Sequence, residues 1–397
     1  MAAGTSAGST YSATAPSAQG NAAPSQPAPQ AASVVPFVRG SGKGKYKFYS
    51  KSLTLTTATQ DLGPIDVKAY DYMRSILVTV TTTGAGGATG TAQADGPFNL
   101  FTNMAVKQPN GQTMYQVSSG IHAAFIQKYG YYRASSDPRE DPNFLVNGSN
   151  ATFALRIPFE LDLRDALGSL PNKDAAAPFS LELTLNTLTN VFGSSQGTSP
   201  TFTVEAWLEA YDQPPTSLNG QPVQTTPPNM NTLQRWTEQN ITMSTGQFDA
   251  RVRKLGNYLR MLIPVMKNSS NVRIVTNGWA DPLQIVLDED VKDNISQGDF
   301  SRRIWETWGY GGIQPGTTAT FGTASSIAVQ IDSPQGADTG VWPIQYFNDT
   351  REPTENVNFY LPTIESEDYL LRGSWGSAVS KLVMLVCEVL PQGDIFS

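Results

Sequence analysis

Few residues in this chain could do chemistry by themselves. Among 397 residues there is one histidine, His122, and one cysteine, Cys387. His122 stands in Gly120-Ile121-His122-Ala123-Ala124-Phe125, near the start of a short helical stretch. A general base there needs a carboxylate or nucleophile partner, which the sequence does not place, and the plainer reading is a structural histidine. Cys387 lies in an apolar C-terminal strand, where nothing nearby would lower its pKa, and reads as a buried small hydrophobe. A lone cysteine excludes an intrachain disulfide framework and a Cys-based zinc site; a lone histidine excludes a His-rich metal centre. Asp288, Glu289, Asp290 and Asp293 form the densest acidic cluster. A hard cation wants several oxygens from one loop. Here no glycine stands where an EF-hand loop turns, so the cluster reads as a solvated turn between a strand and the next helix. The remaining carboxylates are scattered and do not define a glycosidase pair. Of the seven tryptophans, Trp207, Trp305 and Trp308 are assigned to cores or subunit contacts rather than to sugar stacking. No catalytic, metal or cofactor site is expected.

The composition points the same way. Charged residues make up 15% of the chain and the net charge is −7, with an isoelectric point near 4.9. Such a surface does not suit a general nucleic-acid binder, which needs a basic face to neutralise phosphates. The apolar runs are far short of the roughly 20 residues of a spanning helix, and no signal peptide is expected at the N-terminus. Six Asn-x-Ser/Thr sequons read as a by-product of composition. Residues 1–38 carry no charge and few large apolar groups. They cannot bury enough surface to offset their ordering entropy, so 1–43 is expected as a flexible arm. Five basic residues follow closely, Arg39, Lys43, Lys45, Lys47 and Lys51, with no acid before Asp61. Two readings stay open: lysines protecting a strand edge, or contact with phosphate or lipid headgroups on an inner surface. Gly40-Ser41-Gly42-Lys43-Gly44 is not a P-loop, lacking its glycine spacing and the Ser/Thr after the lysine.

From residue 52 the periodicity is that of strands. Ile76-Leu77-Val78-Thr79-Val80-Thr81, Phe179 to Leu185 and Phe202 to Ala210 alternate or run apolar. The best helix is Gly120 to Tyr129. Prolines 214, 215, 222, 227 and 228 then mark 214–231 as a linker. A second β block includes Tyr258 to Met266, Pro282 to Leu287, Val341 to Phe347, Val357 to Leu361 and Ala378 to Leu390. The two blocks, 44–213 and 232–397, are 170 and 166 residues long, which prompts a search for internal duplication. Both hold a strand, a second strand, a polar turn and a short helix ending in an aromatic. Phe125-Ile126-Gln127-Lys128-Tyr129-Gly130-Tyr131 matches Ile304-Trp305-Glu306-Thr307-Trp308-Gly309-Tyr310 as apolar, apolar, polar, polar, aromatic, Gly, Tyr. The glycine is expected as the helix C-cap.

All-β blocks of this size, with long loops and short helices, fit two tandem eight-stranded jelly rolls. With this layout, and with Asn99 to Tyr132, especially Met104-Ala105-Val106-Lys107-Gln108-Pro109-Asn110-Gly111, the sequence resembles the double jelly roll major capsid proteins of tectivirus-like phages. The resemblance spans about 44–395. It implies a non-enzymatic structural protein of the virion, made in the host cytoplasm. It further implies pseudo-hexagonal homotrimers in an icosahedral shell, contacts with neighbouring capsomers, penton and minor capsid proteins, and an inner membrane lipid layer. The alternatives are a two-domain β-sandwich adhesin or carbohydrate-binding surface protein, which calls for a signal peptide or anchor, and a β-sandwich hydrolase.

Overall fold

The computed structural model describes residues 34–83, 95, 98–130, 145–147, 150–162, 165–192, 201–230, 232–253, 256–274, 279–308, 313–314, 317–321, 327–331, 337–338, 340–346, 360–364 and 366–390. A short helix, α1 (Phe37–Gly40), leads into β1 (Lys43–Thr54), β2 (Gln60–Asp61), β3 (Ile65–Asp66), β4 (Tyr72–Thr83), β5 (Phe101–Lys107) and β6 (Thr113–Val117). Helix α2 (Gly120–Tyr129) precedes β7 (Leu145–Asn147), β8 (Asn150–Pro158), β9 (Leu170–Pro171) and β10 (Ser180–Leu185), and α3 (Leu188–Phe192) precedes β11 (Thr201–Tyr211). One sheet runs β1-β11-β4-β8-β7; the other has β2 and β3, end to end, on β10, then β5 and β6. Counting β2 with β3 and β7 with β8, there are eight strand positions, ordered 1-8-3-6 and 2-7-4-5. Along β10 and β11 every second side chain is buried, the period of two that puts one face of each sheet on the core.

After a hairpin of β12 (Ser217–Leu218) and β13 (Gln221–Pro222) the same order repeats. The second set is β14 (Leu233–Thr242), β15 (Gly246–Val252), β16 (Tyr258–Lys267), β17 (Leu283–Leu287), β18 (Asp290–Ile295) and helix α4 (Gln297–Trp308). Short strands follow: β19 (Ile313–Gln314), β20 (Thr317–Phe321), β21 (Ile327–Ile331), β22 (Ala337–Asp338), β23 (Ile344–Gln345) and β24 (Leu361–Pro362). The chain closes with β25 (Tyr369–Trp375) and β26 (Lys381–Leu390). The sheets β14-β26-β16-β23 and β15-β25-β17-β18 are again 1-8-3-6 and 2-7-4-5. The fold is therefore two tandem jelly rolls. In each, the helix follows the fifth strand: α2 after β6, α4 after β18. Ser296 caps the start of α4, its hydroxyl accepting the Asp299 N–H at 3.2 Å and donating to the Asp299 carboxylate at 2.8 Å.

The two units are not merely side by side. β6 pairs in parallel with β14 at Tyr115 and Trp236, joining one sheet of each unit into a ten-stranded sheet. The sheet β14-β26-β16 has apolar groups on both faces. Met261, Ile263, Val265, Val383, Leu385 and Cys387 belong to the core of the first unit. Their alternating neighbours Leu262, Met266, Leu382, Met384 and Val386 belong to that of the second. This explains why β26 reads Leu382-Val383-Met384-Leu385-Val386-Cys387 without polar alternation: a strand buried on both faces is apolar throughout.

Several expectations meet their physical limits here. Residues 1–33 of the arm lie outside the described residues, but 34–43 pack on the first unit. Val35 bridges Val223, and Phe37, 1% exposed, sits edge-on to Tyr72 and Tyr211; β1 starts at Lys43. One buried aromatic and a β-bridge anchor what composition alone made look loose. The helix end at Gly130 has φ −80°, so the left-handed freedom expected of a C-cap glycine is not used there. Tyr131, Gly309, Tyr310 and Val357 to Phe359 lie outside the described residues.

Burial on both faces of one strand has a measurable consequence. Met384→Ala and Leu385→Ala, which open cavities in different cores, should each cost about 2–5 kcal/mol in chemical denaturation. Leu370→Ala, on the half-buried face of β25, should cost clearly less. A near-neutral Leu385→Ala would refute the shared sheet.

Candidate functional site: the seam between the jelly rolls

The polar residues that the sequence could not pair meet where the two units join. The ring of His122, buried on α2, places Nδ1 2.9 Å from Oε2 of Glu238 on β14. The same carboxylate accepts the Ser118 N–H at 2.8 Å and the Ser118 hydroxyl at 2.6 Å. Burial alone would push the Glu238 carboxyl up, but the hydrogen bonds from His122 and Ser118 outweigh it and hold the group at about 2. His122 is pushed below its ordinary value, mainly by burial and also by the charge of Lys267. A neutral ring donating from Nδ1 to an ionised Glu238 satisfies both. Ser118 bonds to Glu238 and not to His122, and Nε2 of His122 has no hydrogen-bond partner among the described residues. Serine, histidine and glutamate are thus adjacent without the Ser–His contact that nucleophilic catalysis requires.

Further along the seam the Asp338 carboxylate accepts Lys128 Nζ at 2.8 Å and the Tyr129 hydroxyl at 2.7 Å. The Asp338 N–H returns to the Tyr129 hydroxyl at 3.0 Å. Trp308 donates its indole N–H to the Tyr129 carbonyl at 2.9 Å and meets its ring edge-on at 5.6 Å. Tyr129 and Trp308 are the matched aromatics of the two helices, and Trp308 packs on both cores rather than on its own unit alone. Arg273 pairs with Asp95 at 2.7 Å, and Gln234 reaches the Glu160 carbonyl at 3.2 Å. The seam is an apolar sheet face edged with paired polar groups, a construction that fixes one relative orientation.

The other candidates have plain positions. Cys387 is fully buried and its thiol is pushed up to about 12 by burial, so it is inert packing. The acidic cluster is a hairpin turn: Asp288 and Glu289 have φ 50° and 71°, the two left-handed residues of a type I′ turn. It joins β17 to β18, correcting the expectation of a turn leading straight into a helix. The Asp288 carboxylate caps the Glu367 and Asp368 N–H groups, Asp290 pairs with Lys292 and Asp293 with Arg303. No cluster of metal-ligating side chains occurs among the described residues. Trp207 is half-buried on the outer face of β11 and Trp305 is 59% exposed. The tryptophans that fill cores are Trp236, Trp279, Trp342 and Trp375, with Trp279 stacked on Trp342 at 4.8 Å.

The basic stretch divides in two. β1 is an edge strand, with Lys45 and Lys47 at 3.9 and 3.2 Å from Glu209 and Glu205 on β11 and both over the Trp207 ring. Lys43 lies over Tyr211. A bulge between Lys47 and Tyr49 shifts the register, so Lys51 stands opposite Val204 on the other face. Arg39 and Lys51 are exposed and form no ion pair among the described residues.

No family model and no curated protein matches the sequence. Solved structures do match. The major capsid protein P2 from bacteriophage PM2 superposes with a TM-score of 0.51 at 7% identity, covering 89% of this chain and 99% of that one. The STIV MCP gives 0.52 at 12%, with 88% and 97% covered. The PBCV-1 virus capsid gives 0.55 at 10%, with 88% and 93%. This chain has the double jelly roll fold of those capsid proteins. Coverage of nearly the whole of each chain means that both jelly rolls and their mutual arrangement are shared. At these identities the fold is retained without its sequence, as expected when pattern and volume matter more than particular side chains.

Two carboxylates of this double jelly roll should have opposite effects on stability as pH changes. Glu238, held below its unfolded value, contributes stability that is complete above about pH 4.5 and lost as pH falls toward about 2. His122, kept neutral by burial, adds to the loss on acidification below its ordinary value. Glu388 on β26 is the reverse: burial pushes it up to about 7, so its contribution is present below about pH 4.5 and lost as pH rises through 7. Glu388→Gln should therefore stabilise the chain at pH 8, by on the order of 2 kcal/mol, and do little at pH 4.5. Glu238→Gln should cost roughly 1.5–3 kcal/mol at pH 7 and flatten the acid limb of the stability curve. Denaturant midpoints across pH 3–9 would show these slopes; equal profiles for both variants would contradict the assignment.

Proposed function

We propose that the chain is a major capsid protein, acting by self-assembly rather than catalysis. The observation that carries this is the repeat of one strand order in two units locked by a shared sheet. Such a body presents two similar outlines at a fixed angle, and three copies around a threefold axis close a six-unit ring, a closed point-group assembly that needs one heterologous interface. The reading extends to a pseudo-hexagonal homotrimer in an icosahedral, tectivirus-like phage shell, with penton and minor capsid proteins as further partners. The functional units are 44–213 and 232–397, joined by 214–231. Low overall charge suits a chain with large lateral contacts, since charged residues are depleted at interface cores. Exposed Trp305 is a natural lateral contact, being a large aromatic left outside both cores.

The basic residues Arg39, Lys43, Lys45, Lys47 and Lys51 and the arm before them are assigned to the inner surface, where they meet neighbouring capsomers or lipid headgroups. Glu205 and Glu209 offset two of the lysines, so the attraction is modest and salt-sensitive.

Light scattering of the purified capsomer should give about three times 42.8 kDa, with a hexagonal outline in negative stain. Deleting residues 1–33 should leave that particle intact and impair shell formation. Binding to anionic vesicles should fall as salt rises and fall further in a Lys43→Ala/Lys51→Ala variant. A monomer that persists at high concentration would sink the assembly reading.

A further inference from the structure

A second feature of the seam is unused by assembly. A polar cavity of about 470 Å³ opens between the units, lined by Ser118, Ser119 and Ile121 at the start of α2, by Asn186 and Asn190, and by Lys267 and Ser270. Lys267 ends β16 on the face that Ile263 and Val265 present to the first unit, and is only 6% exposed. Its ammonium has no hydrogen-bond or ion-pair partner among the described residues. Its neighbours in the sheet make this worse. Lys267 stands opposite Lys381 on one side and bridges Arg273 on the other, so three cations lie in one row. Like charges directly opposite in a sheet are destabilising. The nearby acids are already engaged: Asp95, which also lines the cavity, is gripped by Arg273 through Nε at 2.8 Å and Nη2 at 2.7 Å, and Glu238 by His122 and Ser118.

We infer that this cavity is a binding site for a small oxyanion, phosphate or a phosphate-like ligand, held by Lys267 across from the first turn of α2. The chemistry of the walls fits. The Lys267 side chain is almost wholly buried, and the two acids whose charges reach it, Asp95 and Glu238, are already bonded to Arg273 and to His122 and Ser118, so a partly desolvated cation here gains from a further anion. Helix α2 spans ten residues and starts at this wall, which therefore faces the positive end of its dipole; in its first turn the His122 N–H is already bonded to the Ser119 carbonyl at 3.1 Å. Ser119 makes no side-chain cap bond to its own helix, and its hydroxyl, with that of Ser270, remains to donate. Burial pushes the Lys267 pKa down against the attraction of Asp95 and Glu238, with Lys381 and Arg273 adding to the fall; a bound anion would act in the opposite sense. An anion bound here would touch both jelly rolls and tighten the seam by mass action.

The test is equilibrium binding of inorganic phosphate to the full chain at constant ionic strength, with chloride as the balancing ion, followed by calorimetry and thermal melting. Wild type should take up one phosphate per chain, saturably, with a matching rise in melting temperature. Lys267→Met should weaken uptake by roughly tenfold or more while melting no lower than wild type in phosphate-free buffer, because it removes a buried like charge. Should that variant fail to fold, Lys267→Arg should retain uptake and Ser119→Ala/Ser270→Ala should lose most of it. Vesicles bearing phosphatidic acid, tested beside glycerol phosphate, separate a headgroup from a free ligand. Absence of saturable binding in wild type, or equal binding in Lys267→Met, would overturn the site. The assembly reading does not depend on the outcome.

Discussion

Everything in this molecule depends on one sheet being apolar on both faces. β14, β26 and β16 contribute alternate side chains to the two cores, so neither unit has a complete interior without the other. Were the contact a polar patch between two finished domains, relative motion would be the default expectation. Here the parallel β6–β14 pairing carries the backbone hydrogen bonding across the same boundary. Sliding one unit would break a sheet and open two cores at once. That rigidity lets a two-unit chain act as a fixed building block.

A boundary that is apolar in the middle has to be specific at its margins, because hydrophobic contact is non-directional. The polar pairs supply the direction. Glu238 with His122 and Ser118, Asp338 with Lys128 and Tyr129, and Trp308 with the Tyr129 carbonyl each link positions far apart in the chain. Every one leaves a buried polar group unpaired if the register slips, a penalty larger than the net gain of making the bond. His122, which reads as structural from the sequence, therefore has a particular task in holding α2 against β14.

How much of this could be seen in the sequence follows from where each signal is stored. Local signals were legible: the alternation of β10 and β11, the apolar run of β26, the α2 helix, and the layout of two blocks. Non-local ones were not. Glu238 lies 116 positions from His122, and nothing in Thr237-Glu238-Gln239 distinguishes it from a solvated carboxylate. β15, Gly246–Val252, is faint because two of its inward residues, Gly246 and Ala250, are too small to mark an apolar face, and β18 hides in an acidic stretch, mostly exposed until Ile295. The apolar run of β26 was visible as a strand; that it is buried on both faces, one in each unit, needed the fold.

The duplicated helices show why the repeat is faint in sequence yet clear in topology. Both follow the fifth strand of their jelly roll, but α2 is wedged into the seam and all ten of its residues are buried, while α4 buries only Phe300 and Ile304. The matched string is thus read by two environments. Gln127 must accept the Arg156 N–H at 3.0 Å and Lys128 must find Asp338, whereas their counterparts Glu306 and Thr307 lie on a helix that faces solvent over most of its surface. Phe125 with Ile304 and Tyr129 with Trp308 meet the same packing constraint in both units, whereas Ile126 is buried and its apolar counterpart Trp305 is 59% exposed. Each unit has kept what its own sandwich demands of the helix and changed what the seam demands. The asymmetry is what one chain needs to pack two copies of a fold against each other in a heterologous contact, since the face that one unit offers is not the face that the other receives.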